Sequence, residues 1–600
     1  MNESKKQNME RPWLKLYGNI PTEVNYTSAS MAEVMLDNCE SFHNYDAYKF
    51  TKSIVTAQHK YDEYGKHILD AAKMLIQNGV KKGDKVIFSL PYLPETYHII
   101  YAIAALGAVM VPLHPQQSQN AKRMANIIKN SGASTIVCLD QSVTALDQIL
   151  DEDKQVDDLI QRIIYIKPIN SLKQTGLKAV LNPLINMKYQ KSEDAPESVK
   201  HTSTKFTKYE DEIKLAKTYQ GSVMADVKGT DVAAILYTSG TSGNEPDGCM
   251  HTHDAFNKSA IAGAFHCDCL EPGDKAVIIP PPSHCYGLVQ GTHSPFMAGI
   301  TQIIVPNPKK LEEIANVIKL ERPDILITVP KWMSAMRKAG YFDDGILENN
   351  KLFMFGGSSV SNLTYDYWQN RLPEGIEIRE GYGNTQTLGG TCLSLRVGNK
   401  RGYCGVPLAG IDYKLHDVET GKLITEPNKP GRAFISGNTV MTGVVGKENP
   451  DELVTDENGV VWYDTSDLMV MDEEGRFKFL ERLNDIFKTR GGNFVNPRYI
   501  NEVLYEFGIE DSCIFHLVDE LKDTEKIVVA IEYVGEESDK EVFKQAVFKK
   551  FQEEFKDMKF AIPNEIMVME KLPLNLNTKP IKADVKEAYN KGDYRFKLTR

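Results

Sequence analysis

The segment Ala233-Ala234-Ile235-Leu236-Tyr237-Thr238-Ser239-Gly240-Thr241-Ser242-Gly243 joins an apolar, strand-like run to residues that are all Tyr, Thr, Ser or Gly. Glycines let a backbone curl until successive N–H groups converge, and hydroxyls add short-range donors, a combination that suits phosphate oxygens. A Walker loop would continue into Gly-Lys-Ser/Thr, and none follows. On composition the stretch reads more readily as a hydroxyl-rich turn than as a nucleotide site, and the apolar strand before it brings the second reading level with the first. His251-x-His253 has no third ligand at suitable spacing and Cys267-x-Cys269 has no second pair, so neither has the ligand set of a zinc centre. His284 by itself fits a strand-end turn satisfied by backbone, and Lys579 by itself is one surface lysine among many.

The elements around these residues alternate. Amphipathic stretches at 65–79, 95–106 and 311–320 predict helices, and β-rich apolar runs at 85–90, 108–113, 134–138, 276–279, 301–305 and 325–329 predict strands. Helix and strand in repeated alternation predict a wound α/β body of layered sheets. Between Lys167 and Lys228 the apolar period is lost and the chain reads as a surface excursion. After Ile411 short strands with Gly and Asp turns take over, typified by Asp472-Glu473-Glu474-Gly475. Beyond Asp485 a strand at 526–533 and a charged helix at 540–555 suggest a small α+β unit. We place the boundary near Asn484, giving an N-terminal body over 1–483 and a C-terminal cap over 484–600.

The 600 residues carry 70 Lys and Arg against 81 Asp and Glu, a formal charge of −11. That balance argues against a surface built to neutralise nucleic acid or anionic lipid. With 42% apolar and 25% charged residues the composition is that of an ordinary globular protein. The nine cysteines form no disulfide framework, the N-terminus has no apolar signal core, and the most apolar stretch, 98–111, is too short to span a bilayer. A soluble protein of a reducing compartment, the cytoplasm, is expected, with no transmembrane segment.

An ordered set of further motifs resembles the adenylate-forming superfamily and covers nearly the whole chain. After the 233–248 segment come Pro281-Pro282-Ser283-His284-Cys285-Tyr286-Gly287, Phe355-Gly356-Gly357-Ser358, Gly381-Tyr382-Gly383-Asn384-Thr385-Gln386, Trp462-Tyr463-Asp464-Thr465-Ser466-Asp467, Glu481-Arg482-Leu483-Asn484-Asp485 and Leu572-Pro573-Leu574-Asn575-Leu576-Asn577-Thr578-Lys579. The resemblance is greatest to the fatty-acyl-CoA synthetases. It implies an ATP-dependent carboxylic acid:CoA ligase working through acyl-AMP with release of pyrophosphate, using ATP, Mg²⁺ and CoA. The alternatives within the same fold are an adenylating enzyme that loads a separate carrier protein and a catalytically weakened relative.

The resemblance also implies roles. Thr238, Ser239, Gly240, Thr241, Ser242 and Gly243 would hold the β and γ phosphates, with Mg²⁺ bridging them. Gly356, Gly357 and Ser358 would lie along the adenine, and Gly381, Tyr382 and Gly383 would pass close to it with the tyrosine ring stacked. Thr385 would meet the α-phosphate, His284 would line the acyl and nucleotide pockets, Asp467 would accept both ribose hydroxyls, and Arg482 would contact ribose or phosphate. Lys579 would reach between the acyl oxygen and the α-phosphate. Arg490 and Gly491 would face the pantetheine after rotation about Asn484. Tyr286, Met354 and Leu388 are candidate pocket-lining residues by motif position. Four positions depart from the family pattern: Asp247 stands where a loop lysine is expected, Gln386 where a metal-associated glutamate is expected, and Ser466 and Thr578 where glycines precede Asp467 and Lys579.

Overall fold

The structure is a computed structural model describing residues 11–600 except 27, 53–54, 119, 173–182, 184–186, 188–198, 239–245, 306, 344, 397, 520–523, 533–538 and 575–578. Two large sheets and the helices between them form the body. The eight-stranded sheet is parallel through Val232–Tyr237, Val109–Pro112, Lys85–Ser89, Thr135–Leu139, Arg162–Ile166 and Phe206–Lys208, and Gly248–Thr252 returns antiparallel beside the first of these. The nine-stranded sheet has a parallel centre of Arg379–Asn384, Leu352–Gly356, Ile325–Thr328, Lys275–Ile278 and Thr301–Ile304. Val109–Pro112, Thr135–Leu139, Ile325–Thr328 and Leu352–Gly356 are buried along their whole length, which is why their sequences are near-continuous apolar runs rather than alternations.

The apolar stretch 98–111, too short for a membrane, runs from the helix Pro94–Ala105 into the strand Val109–Pro112, and in the helix Thr96 through Ala105 are all buried. A helix apolar on every side must be enclosed. Here its residues share one core with Val86 and Phe88 of the first sheet and Ile278, Ile327 and Met354 of the second. Among the described residues no helix is long and apolar enough to cross a membrane.

The expected surface excursion is corrected in its second half. Phe206–Lys208 pairs with Arg162–Ile166, and the helix Tyr209–Ala216 buries Tyr209 and Ala216. Three acidic residues in its first turn, Glu210, Asp211 and Glu212, gave the segment its surface character in sequence. Glu212 instead accepts a hydrogen bond from Asn78 at 2.8 Å. The earlier part of the excursion, 173–198, falls almost wholly outside the described residues.

A six-stranded antiparallel sheet follows, ending with the long strand Val461–Met471 and its hairpin partner Phe477–Arg482. Gly475 turns this hairpin at φ +88°, and a Cβ there would sit 2.4 Å from the backbone nitrogen of the buried Trp13, so only glycine fits. Sheet membership changes across Leu483–Ile486. Beyond it lie the two-stranded ribbon Phe487–Lys488 with Phe494–Val495 and a four-stranded sheet, Ser512–Asp519, Thr524–Glu532, Glu565–Met569 and Phe596–Thr599. This sheet has its own core around Val529, Ile531, Phe551 and Ile566. The chain is thus a large α/β body with a smaller C-terminal cap.

Candidate active site

In open α/β sheets ligands collect at the carboxyl ends of the parallel strands. Gly356 ends Leu352–Gly356, Tyr237 ends Val232–Tyr237, and the chain leaving Lys275–Ile278 reaches His284 within six residues. The site builds outward from these ends. Gly356 pairs with Gly381 on the neighbouring strand, and a Cβ on Gly356 would lie 3.0 Å from the Gly381 carbonyl. At Gly383 a Cβ would lie 1.7 Å from the Gly389 carbonyl oxygen. Glycine there is dictated by the local strand crossing as much as by any ligand. Gly357 adopts φ +93°, turning the chain towards Ser358.

Strand Arg379–Asn384 then runs into a short 3-10 turn, Thr385–Thr387, capped by the Asn384 side chain. The Thr385 carbonyl accepts a 2.8 Å hydrogen bond from Nε2 of the fully buried His251, so this histidine props the loop and belongs to no metal set. His253 accepts from the Met31 amide instead. Tyr382 donates its hydroxyl to Asp467 at 2.5 Å and its ring stacks on Phe479 with centroids 6.1 Å apart. Of the pocket candidates, Tyr286 lies 3.9 Å from a Cβ built on Gly356, while Met354 and Leu388 are buried in the main core.

Asp467 and Arg482 face each other as cross-strand partners on the last hairpin of the body, with Nε to Oδ1 at 3.8 Å. Burial raises the Asp467 carboxyl above its ordinary range, against the pull of Arg482, Tyr382 and Lys579. Ser466, just before it, is held at φ +53°, in the left-handed region that favours glycine. The side chain that causes this strain also meets a partner, since Arg432 donates to Ser466 Oγ at 3.3 Å and to Asp464 at 2.7 Å.

Lys579 enters from the cap. Desolvation, with Arg482 adding to it, pulls its ammonium down to about 8 while Asp467, Asp485 and Glu481 resist. The same burial, reinforced by Lys579, pushes His284 down to about 4, so this imidazole is neutral at pH 7. Its Nδ1 accepts from the Tyr286 amide at 3.2 Å, which leaves the proton on Nε2. The structure therefore brings Lys579, His284, Asp467, Arg482 and Tyr382 into one electrostatic neighbourhood.

Of the phosphate-loop residues, Thr238 is described and Ser239 through Gly243 lie outside the described residues. Thr238 closes the neck of the loop: its amide donates to the Asp247 carbonyl at 3.0 Å, and its hydroxyl accepts from the Asp247 amide at 3.1 Å. The anion that replaces the expected lysine is itself paired, because Lys447 Nζ lies 2.8 Å from Asp247 Oδ1. Nothing in the sequence marks Lys447 as a partner of Asp247, because it stands 200 positions away with no motif around it. Arg490 and Gly491 are not gathered with the others; they lie exposed on the cap ribbon, where the Arg490 amide donates to Glu525. Gln386 contributes its backbone carbonyl to the Met441 amide. Among the described residues no group of three His, Cys, Asp or Glu side chains forms a cage for a cation.

Comparison with known proteins gives a consistent picture. The family described as AMP-binding enzyme matches residues 37–445. A long-chain-fatty-acid–CoA ligase of Bacillus subtilis (strain 168) is 25% identical over 512 residues, covering 83% of this chain and 84% of its own. The ATP-bound structure of MatB from Rhodopseudomonas palustris superposes with a TM-score of 0.74 at 19% identity, over 94% of this chain and 99% of that one. The O-succinylbenzoate coenzyme A synthetase of Bacillus subtilis, in complex with ATP and magnesium ion, gives a TM-score of 0.70 at 17% identity, over 93% of this chain and 100% of that one.

The strain at Ser466 is open to measurement. Ser466→Gly should raise stability by about 0.5–1 kcal/mol, since relief of the left-handed φ outweighs the long Arg432 hydrogen bond. Urea unfolding checks it, and a lower midpoint would show that Arg432 holds the turn.

Proposed function

The chain belongs to the AMP-binding enzyme family, and from that premise we propose a fatty acid:CoA ligase in which Lys579, carried by a cap that begins at Asn484, serves the adenylation step. The chain is an AMP-forming acid–CoA ligase whose reaction uses ATP, Mg²⁺ and CoA. The observation that carries the residue assignment is the convergence of Lys579 with Asp467, Arg482 and His284.

In the first step a carboxylate oxygen attacks the α-phosphorus of MgATP, an O–P bond forms, the bridge to the β-phosphate breaks, and pyrophosphate leaves. The carboxylate is already the nucleophile and needs no general base. The protein's task is to align two anions and offset the charge that builds on the α-phosphoryl oxygens. The Lys579 ammonium supplies that charge, and the Nε2–H of neutral His284 donates towards acyl or phosphoryl oxygen. Thr385 meets the α-phosphate, and Gly356, Gly357, Ser358, Gly381, Tyr382 and Gly383 form the adenine wall. Asp467 exchanges its Tyr382 hydrogen bond for the ribose hydroxyls, with Arg482 beside it. Thr238 to Gly243 hold the terminal phosphates.

In the second step the CoA sulfur attacks the acyl carbon, the acyl–phosphate bond breaks and AMP leaves, the thiol proton passing to solvent. Arg490 and Gly491 present the pantetheine after rotation about Asn484, consistent with their exposure here. The fatty acid rests on the long-chain relative, and the pairing of Asp247 with Lys447 removes the isolated anion that argued for a weakened enzyme. Nine free cysteines fit the reducing cytoplasm.

Pyrophosphate release with acetate, benzoate, octanoate and palmitate, each with and without CoA, tests the reading. Release dependent on octanoate or palmitate, with CoA consumed, is expected. Release unaffected by CoA would point to a carrier-protein acceptor, and no release would reject the ligase assignment of these residues. Lys579→Ala should abolish acyl-AMP formation while ATP still binds, and the wild-type first step should decline as pH rises through about 8, where the ammonium deprotonates. A flat profile to pH 9 would remove Lys579 from the step. Lys447→Ala should raise the apparent KM for MgATP several-fold, by leaving Asp247 an unpaired anion at the loop neck. The double change with Asp247→Asn should restore it; an unaltered KM in the single variant would show that the pair acts only structurally.

A further inference from the structure

The cap meets the body at a second place, away from Lys579, and the contact is built around one carboxylate. Glu510 stands in the loop between the cap helix Pro497–Glu506 and the cap strand Ser512–Asp519. Its side chain is 9% exposed and is received by two helices of the body. From Pro330–Ala339 come the Ser334 hydroxyl, which donates to Oε2, and the Arg337 and Lys338 cations, each 3.5 Å from the same oxygen. From Asn362–Gln369 and its N-cap come the Ser361 hydroxyl and the Thr364 hydroxyl, the latter 2.6 Å from Oε1. Arg337 also donates to Thr364 Oγ1 at 2.9 Å, so the receptor is internally braced. The next residue, Asp511, lies 3.9 Å from Lys331 of the first of these helices.

Three hydroxyls and two cations around a carboxylate at a helix N-terminus form a receptor for one negative charge. Packing alone would be met by an apolar pair, which avoids desolvating a charge. A charged peg instead fixes one geometry, because its oxygens are satisfied only when the cap sits at one angle. The receptor is also chained to the site: Ser361 follows Ser358 by three residues on the segment leaving Leu352–Gly356. Other ties across the same junction are peripheral or main-chain, as with Lys331 to Asp511 at 3.9 Å and Arg498 to the Phe479 carbonyl.

We propose that Glu510 is the positioning residue that holds the cap at the angle delivering Lys579 to the active site, with Ser334, Arg337, Lys338, Ser361 and Thr364 as its receptor. Glu510 touches no substrate and acts through Lys579, so the proposal rests on Lys579 serving adenylation. Removing the peg lets the lysine wander from its place, and an error of about 1 Å is worth up to roughly a hundredfold in rate. The thioester step starts from acyl-AMP, after Lys579 has done its work, and does not need the peg.

The test measures the half-reactions separately in the full chain: ATP–pyrophosphate exchange with the most active acid of the panel, and CoA thioester formation from the matching pre-formed acyl-adenylate. Glu510→Ala should lower exchange by roughly ten- to a hundredfold, in kcat rather than in the KM for ATP, and leave thioester formation within about twofold. The body-side double variant Ser334→Ala with Thr364→Val should reproduce the pattern, and Glu510→Gln, which keeps one acceptor oxygen, should fall between. Equal loss in both half-reactions would make Glu510 merely structural, and unchanged exchange in both the cap and body variants would overturn the proposal. Lys579→Ala is the control: if it retains exchange, the reading of the lysine has failed; if it loses exchange while Glu510→Ala does not, the peg has failed.

Discussion

A charged ammonium held away from water in a cleft is the constraint around which this protein is arranged. Lys579 loses hydration on entering the site, and Arg482 opposes it, so its affinity for a proton drops. Asp467, Asp485 and Glu481 return enough favourable field to keep it charged near neutral pH. Burial, with Lys579 adding to it, keeps His284 neutral, giving a donor that carries no charge beside one that does.

Holding that lysine in place is a problem in mechanics as well as electrostatics, because it belongs to a unit with its own sheet and core. The body supplies fixed partners on two sides. The Val461–Met471 and Phe477–Arg482 hairpin brings Asp467 and Arg482 across from each other, and its tip is pinned by Gly475 against Trp13. The helices that follow Ile325–Thr328 and Leu352–Gly356 present the Glu510 receptor. Since Gly356, Gly357 and Ser358 lie on the second of these connections, the proposed nucleotide wall and the cap's anchor share one stretch of backbone.

The departures from the family pattern take on physical meaning once neighbours are known. Ser466 accepts a left-handed backbone where glycine would cost less, with Arg432 offsetting part of the strain. Asp247 inverts a charge in sequence but not in space, because Lys447 restores local neutrality. Each is a pairwise fact that one position cannot reveal.

Much was legible without coordinates. The alternation of helix and strand and the late sheet and charged helix of the cap follow from apolar period and length, which are local properties, whereas the helix at Pro94–Ala105, expected to be amphipathic, is enclosed on every side. The motif residues at Tyr382, Asp467, Arg482 and Lys579 were legible because they sit in short, ordered segments. Within the 167–228 stretch read as a surface excursion, Phe206–Lys208 joins the sheet and the helix Tyr209–Ala216 buries Tyr209 and Ala216, because its acidic composition conceals contacts such as that of Glu212 with Asn78. The sequence by itself determined the fold class and, through the order of its motifs, the family and its chemistry, since apolar period and motif order are local properties. Tertiary structure alone decided what charge each residue carries and what holds it there: Lys447 against Asp247 and Glu510 in its receptor join residues some 150 to 200 positions apart, and burial, which sets their electrostatics, exists only once the chain has folded.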